Sequence, residues 1–171
     1  MTTSDEVDRI VTAWKRERPN LDVGPLQVLS RVSRLARHLD LARREAFAAH
    51  DLEPGEFDVL AALRRAGKPH ALTPSALLAQ NLVTSGTMTN RIDRLEEKEL
   101  VTRFPDPSDG RGVLVQLTAN GKTVVDLALD ELLVREKSLL ATVTATDREK
   151  LANVLRDIVL PFDQEVADLE N

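Results

Sequence analysis

The hydrophobic period of the chain changes between residues 100 and 117, and this change limits the folds available to it. Before that segment, apolar residues recur every three or four positions, which is typical of amphipathic helices. Within it, Leu100–Phe104 and Val113–Leu117 alternate as strands do. The eight residues between them include two prolines and two glycines, which predict a loop. The sequence therefore predicts a mostly α-helical chain with one small β-hairpin.

Helices before the hairpin follow from the apolar spacing and from start and stop signals. Thr73 is a good N-cap and Pro74 suits the first position of a helix. Pro54 has the same place in the preceding helix, which we expect to end near Gly67. The predicted helices are Asp5–Arg18, Leu26–Ala49, Pro54–Gly67, Pro74–Gln80 and Ser85–Lys98.

Two further helices are predicted after the hairpin. Thr118 caps the first, which runs to about Thr142. The capping box Thr146-x-x-Glu149 opens the second, which runs toward Leu169. Pro161 falls inside this last helix and is expected to kink or break it.

The charge distribution limits the possible partners. The chain has a net charge of −5, but residues 123–171 carry 5 basic and 11 acidic residues, whereas residues 1–122 carry 18 and 17. The acidity therefore belongs to the C-terminal part, and local charge decides phosphate attraction. The absence of cysteine excludes disulfides and thiolate metal sites. Residues 1–10 do not have the pattern of a signal peptide, and no apolar run reaches the ~18 residues of a membrane span, so we expect a cytoplasmic protein without a membrane partner.

Helix, turn, helix and hairpin follow one another over residues 74–117, which is the order of a winged helix-turn-helix. A helix that enters the major groove must present short polar side chains to base edges. The helix from Ser85 begins with hydroxyls, an amide and a guanidinium, which is poor composition for an ordinary solvated helix face. The predicted DNA-contacting residues are Thr84, Ser85, Thr87, Met88, Asn90 and Arg91 on this helix, and Arg111 at the hairpin tip.

Residues 91–121 carry motifs of a known family. They contain D-R-L-E at 93–96, D-x-R at 109–111 and V-x-L-T-x-x-G at 115–121, with Glu99 where the family often has glycine. Because these motifs occur at this fixed spacing, the chain strongly resembles the MarR family of bacterial regulators. The resemblance extends from about residue 26 onward. The resemblance implies a homodimer that binds a pseudo-palindromic double-stranded DNA operator, in most cases as a repressor. The departure at Glu99 is expected to shift the helix ending slightly.

A narrower resemblance concerns the effector. The chain is similar to the urate-responsive subgroup, which has a tryptophan on an extra N-terminal helix, an Asp and an Arg seven positions apart, and an Arg on the recognition helix. Trp14, Asp58, Arg65 and Arg91 match these positions. Seven residues are two helical turns, so Asp58 and Arg65 are expected on one face about 10 Å apart. The resemblance implies that Trp14, Asp58 and Arg65 bind a small anion, such as urate.

Alternatives stay open for these residues. A phenolic or carboxylic acid fits the same pocket, since one Arg and one indole discriminate weakly. Trp14 is alternatively an anchor for its helix, and Asp58 and Arg65 are alternatively an ion pair that braces the fold. Arg64 is expected to face solvent, and His38, His50 and His70 do not have metal-ligand spacing.

Competing function classes are weaker. No phosphate-binding loop, zinc motif or nucleophile elbow is present, so an enzyme and a cofactor are not expected. A winged helix used only for protein contacts is the remaining alternative. The predicted organisation has three parts: an N-terminal helix and first dimerisation helix at 1–50, the winged DNA-binding lobe at 51–117, and C-terminal dimerisation helices at 118–171.

Overall fold

The computed structural model describes residues 4–81, 83–107 and 112–169. The chain divides into two compact units, Met1–Leu132 and Leu133–Asn171. The elements in chain order are α1 (Glu6–Glu17), α2 (Gly24–Ala48), α3 (Pro54–Arg65), β1 (Ala71–Leu72), α4 (Pro74–Asn81), α5 (Ser85–Glu97), β2 (Val101–Pro105), β3 (Val113–Leu117), α6 (Ala119–Leu139) and α7 (Ala145–Leu169). The prediction of a mostly helical winged helix-turn-helix is confirmed.

The main core of the first unit lies under the helix-turn-helix. Its centre is aliphatic, with Leu60, Leu63, Leu77, Leu95 and Val115 fully buried. Phe47 and Phe57 add the aromatic part, with ring centroids 4.1 Å apart and the rings nearly parallel. The core therefore joins the end of α2 to α3, to the two helices of the motif and to the sheet, and it holds these elements as one packed lobe.

The sheet contains one strand more than the hairpin that the sequence predicts. β3 pairs antiparallel with β2 along its whole length, from Val101 opposite Leu117 to Pro105 opposite Val113. On its other side it pairs with β1, with Ala71 opposite Gln116. The strand order is therefore β1-β3-β2. β1 is only two residues long, which is too short for an alternating pattern to be visible in the sequence.

The helix α5 ends sharply in spite of Glu99. This residue has φ +57°, in the left-handed region, and Leu100 N–H donates to the Leu95 carbonyl over 2.9 Å. The pattern is the one that a glycine would form at this position. Glu99 therefore adopts the conformation that a glycine would adopt, and α5 ends at Glu97. The expected slight shift of the ending relative to the family stays a prediction.

A small separate core attaches α1 to α2. Val7, Val11 and Val23 are 1%, 2% and 4% exposed and pack with Leu26. At the start of α1, Arg31 donates to Asp5 over 2.9 and 3.0 Å and to Asp8 over 2.8 Å. Because both contacts involve the first half of α2, α1 lies along that half, with its C-terminal end toward the start of α2.

The second unit contains the end of α6 and α7. Thr144 caps α7, with its hydroxyl 3.2 Å from Asp147 N and 2.8 Å from the Asp147 carboxylate. The predicted capping box at Thr146 is therefore wrong by two residues. Pro161 lies inside α7, which continues to Leu169, so the proline does not break the helix. Pro161 has no N–H to donate, but that removes only one hydrogen bond of the helix.

Neither a membrane-spanning helix nor a metal-binding cluster is present in the described ranges. No helix there combines the length and the apolar composition that a membrane span requires. Within the same ranges, no three His, Asp or Glu side chains lie close enough to hold a metal ion.

Candidate nucleic-acid interface and effector site

The first half of α5 is a polar, exposed surface. Thr84, Ser85, Thr87 and Asn90 are all exposed. Thr84 is the N-cap, and its hydroxyl accepts from Thr87 N–H over 3.4 Å and lies 2.9 Å from the Thr87 hydroxyl. The cap satisfies the helix end locally, so these hydroxyls stay at the surface in defined positions. The arrangement presents short donors and acceptors in the size range that base edges in a major groove accept.

Met88 belongs to the opposite face of the same helix. Its side chain is 2% exposed, and Ile92 and Leu95 continue the buried stripe at 1% and 0%. The prediction of Met88 as a DNA contact is corrected, because a side chain inside the core cannot reach a base edge. Its hydrophobic anchoring, together with that of Ile92 and Leu95, is what turns the polar side of α5 outward.

Arg91 lies against α3. Its guanidinium covers the Cα of Gly55, so that a methyl group added at position 55 would collide with it. The side chain is half-buried. In this conformation Arg91 links α5 to the first turn of α3.

The wing arginine is not placed by the structure. Arg111 lies outside the described residues, and it stays a prediction from the sequence. The strands β2 and β3 flank this loop, and the Asp106 N–H donates to the Gly112 carbonyl over 2.9 Å at its base. The ends of the loop are thus held close together.

Ion pairs hold α5 from two sides, and together they form what we call the ionic frame. Its residues are not among the site residues that the sequence predicted. On one side, Lys98 and Arg94 contact Glu56 at 3.0 and 3.5 Å, and Arg94 also contacts Glu53 at 3.2 Å. Glu56 is 1% exposed. These pairs join the first turn of α3 to the second half of α5.

The other side of the frame comes from the wing. Arg103 in β2 donates to Asp93 over 2.5 Å and to Glu96 over 2.6 Å. Burial works against the charge of Arg103, but the hydrogen bonds to Asp93 and Glu96 outweigh it and raise the pKa of the guanidinium above its ordinary value. The wing is therefore tied to the recognition helix and not only to the sheet.

The predicted effector residues of α3 have different partners from those expected. Asp58 accepts a 2.7 Å hydrogen bond from Arg43 of α2, and Arg65 is exposed. The Arg43 guanidinium also lies over Phe47, 5.2 Å from the ring centroid. Arg43 is thus a cation beside the predicted effector residue Asp58 that sequence reasoning missed. Its signal was weak, since it is one of several arginines on α2.

Arg64 is not a free surface charge. Its guanidinium donates to the Asp126 carboxylate over 2.9 and 3.3 Å. Arg64, which was expected to face solvent, is thus partly exposed and also paired. The pair joins α3 to α6 within the first unit, and both side chains are about two-fifths exposed. The contact is structural and lies apart from the Arg43–Asp58 pair.

Trp14 is not brought to Asp58 within one chain. It is 47% exposed on α1, beyond Val11, which packs against Val23 at the start of α2. At 1.5 Å per residue, Val23 and Arg43 are about 30 Å apart along α2. This distance is far greater than two side chains can span. The structure therefore brings Asp58 to Arg43 and leaves Trp14 at the other end of the helix.

Comparison with known proteins identifies the family. A model described as MarR family matches residues 50–112. The HTH-type transcriptional regulator PecS of Dickeya dadantii is 35% identical over 150 residues, which cover 88% of this chain and 90% of that protein. The chain belongs to the MarR family. This confirms the resemblance that the sequence motifs gave, and it makes the chain a transcriptional regulator and not an enzyme.

Solved MarR structures agree in fold. A mutant MarR from Escherichia coli complexed with operator DNA aligns with a TM-score of 0.67 and 26% identity, covering 91% of this chain and 99% of that one. Wild-type MarR from E. coli in its apo form aligns with a TM-score of 0.66 and 27% identity, covering 81% and 97%. The similarity thus extends over nearly the whole length of those proteins.

Proposed function

We propose that this MarR-family chain is a homodimer that binds a pseudo-palindromic double-stranded DNA operator through α5 and the wing. The observation that carries the proposal is the division of α5 into two faces. Met88, Ile92 and Leu95 anchor one face in the core, and the other face presents Thr84, Ser85, Thr87 and Asn90 to solvent. The MarR structure with operator DNA supports the proposal, because its fold matches over most of this chain.

Dimerisation is supported by apolar surface that one chain leaves uncovered. On α2, Leu29, Val32 and Leu35 are 55%, 41% and 41% exposed, and on α7, Val154 and Ile158 are 56% and 42% exposed. A dimer made from long helices of both chains buries more than ~2,000 Å² in total. Light scattering at micromolar concentration is expected to give the mass of two chains, and a monomeric mass contradicts both the dimer and the palindrome.

The DNA proposal is tested by binding to the chain's own promoter region. The operator is expected to contain two half-sites about one helical turn, ~10 bp, apart. On such DNA, Asn90→Ala is expected to cost ~1–3 kcal/mol of binding free energy. Asn153→Ala, which changes an exposed asparagine on α7, is the matched control and leaves affinity unchanged. Arg111→Ala is expected to weaken binding to most sequences alike. A protein that binds none of its upstream DNA is instead a winged helix for protein contacts.

The effector in this proposal is a small planar anion, urate or a related purine, that binds near Asp58 and Arg65 with Trp14 and releases the DNA. Asp58 is already paired with Arg43 at 2.7 Å, so an arriving anion competes with the carboxylate for that cation. Displacement of Asp58 moves α3, and α3 contacts α5 through Gly55 and Glu56. A ligand that prefers the released state by ~1–3 kcal/mol lowers DNA affinity about 5–150-fold.

The effector is tested by adding urate, xanthine, salicylate or citrate to the wild type and to Arg65→Ala. Trp14 is the only tryptophan of the chain, so a change in its fluorescence reports on this site alone. Urate is expected to quench Trp14, to raise thermal stability and to release DNA from the wild type only. A response to salicylate or citrate alone assigns the pocket to a phenolic or carboxylic acid. An unchanged response of Arg65→Ala shows that the residue takes no part.

A further inference from the structure

The position of α1 raises a question for the proposed effector site. Two independent contacts hold α1 to the first half of α2: the apolar group of Val7, Val11 and Val23, and the hydrogen bonds from Arg31 to Asp5 and Asp8. Trp14 follows Val11 by three residues, in the direction that leads away from Arg31. These contacts place Trp14 at the start of α2.

The anionic and cationic side chains of the proposed site are at the other end of α2. Arg43 and Asp58 contact each other at 2.7 Å, about 30 Å along α2 from the level of Val23. Arg65 is two helical turns from Asp58 and is at most about 10 Å closer to Trp14. An indole at the start of α2 cannot contact a ligand that these three residues hold in the same chain.

Two-fold symmetry removes the separation. In an isologous pair, if residue i faces residue j, then j faces i. The exposed large apolar residues on one face of α2 are Val28, Leu29, Val32 and Leu35. For two α2 helices packed antiparallel about the middle of this stripe, the level of Val23 in one chain meets about residue 40 of the other. That is within about 5 Å of Arg43 along the axis.

We infer that each effector site is shared between two subunits: Arg43, Asp58 and Arg65 come from one subunit, and Trp14 comes from its partner. The inference rests on the proposed function, since it takes the dimer and the role of Trp14 from there. It adds that a single chain holds no complete site. Effector binding then depends on the arrangement of the dimer, so the ligand responds to the same subunit geometry that matches the two recognition helices to DNA.

Energy transfer tests the geometry without any effector. The chain contains no cysteine and one tryptophan, so Ala66→Cys, at the end of α3, accepts a single dansyl-type label. One heterodimer combines a labelled Trp14→Phe chain with an unlabelled chain that keeps Trp14. The other combines a labelled chain that keeps Trp14 with an unlabelled Trp14→Phe chain. Transfer is expected to be strong in the first and weak in the second, and equal or reversed transfer overturns the inference.

Complementation tests the same point with urate as the probe. A heterodimer of a Trp14→Phe chain and an Arg65→Ala chain contains one intact site if the site is shared and none if it lies within one chain. The matched control joins a chain that carries both Trp14→Phe and Arg65→Ala to a wild-type chain. It contains no intact site if the site is shared and one intact site if the site lies within one chain. We expect one urate per dimer and partial DNA release in the first heterodimer, and neither in the control. The opposite result overturns the shared site.

The two experiments separate this inference from the proposed function. If the wild type responds to none of the four anions, the effector proposal fails, whereas the energy-transfer result still decides which subunit places Trp14 next to α3. If urate acts on the wild type and the control heterodimer keeps one site, the effector proposal survives and the shared site is wrong.

Discussion

The Glu56 carboxylate accepts a 3.0 Å hydrogen bond from the Lys98 ammonium, although these residues are 42 positions apart and Glu56 is 1% exposed. Glu56 also accepts from the N–H of Glu53 over 2.9 Å. Lys98 in turn donates to the Asp51 carbonyl over 2.5 Å. The start of α3 and the end of α5 are thus joined through the buried Glu56 carboxylate. If this carboxylate lost its partners, the folded state would be destabilised.

Removal of the Lys98 ammonium is expected to destabilise the fold. Lys98→Met leaves the Glu56 carboxylate with Arg94 at 3.5 Å and one backbone N–H. We therefore expect a loss of about 1–3 kcal/mol in the free energy of unfolding, measured by urea denaturation. Arg64→Met is the matched control, because it breaks the more exposed pair with Asp126 and should cost about 0–1 kcal/mol. Equal losses for both variants contradict the special position of Glu56.

The sequence predicted the helices and the polar face of α5 because both depend on local information. Apolar spacing, the Thr73 cap before Pro74 and the polar run from Ser85 are all visible within one or two helical turns. The ionic frame was not predicted, because Glu56 and Lys98 meet only after α3 packs against α5. The Arg43–Asp58 pair was missed for the same reason. Spacing placed Asp58 and Arg65 on one helix, but it contained no information on the cation that α2 brings to Asp58.

Glu99 has a conformation that glycine adopts without strain. Its φ of +57° lies in the left-handed region, which costs a residue with a Cβ about 1–2 kcal/mol. Glu99→Gly is therefore expected to stabilise the protein by about 0.5–1 kcal/mol after the added freedom of the unfolded chain is subtracted. Glu97→Gly, at the last residue of α5, should destabilise it by a similar amount. Thermal unfolding of the two variants measures the difference, and a loss in both contradicts this account.

Two glycines in helices are expected to respond oppositely to alanine. At Gly121 a Cβ collides with the Leu100 carbonyl oxygen, which also accepts from Thr118 N–H over 3.1 Å and so cannot move freely. Gly121→Ala should cost about 1–3 kcal/mol of unfolding free energy. At Gly86 no atom lies within 4 Å of the added Cβ, and Gly86→Ala should gain about 0.5 kcal/mol from helix propensity.

The comparison of these glycine variants also tests the proposed interface. Gly86 is exposed at the start of α5, on the side proposed to face DNA. We expect Gly86→Ala to lower operator affinity although it raises stability, as measured by fluorescence anisotropy with labelled DNA. Stability and affinity that rise together would place Gly86 away from the DNA.

The hydrogen bonds from Arg31 are expected to make the docking of α1 sensitive to acid. They hold the pKa of the Asp5 carboxyl below its ordinary value, and they raise the pKa of Arg31. A carboxyl whose pKa is lowered by folding stabilises the folded state above its unfolded pKa, and this contribution is lost as the pH falls through the lowered value. Trp14 anisotropy should therefore decrease from about pH 4 downward as α1 becomes mobile.

In Arg31→Met the Asp5 pKa in an NMR titration should move back toward its ordinary value. The Trp14 anisotropy should then be lower than in the wild type already at neutral pH, and its further decrease in acid should be smaller. Arg16→Met removes only the exposed contact with Glu17 and should follow the wild type. A wild-type titration curve in Arg31→Met shows that the apolar group of Val7, Val11 and Val23 holds α1 without help from the charges.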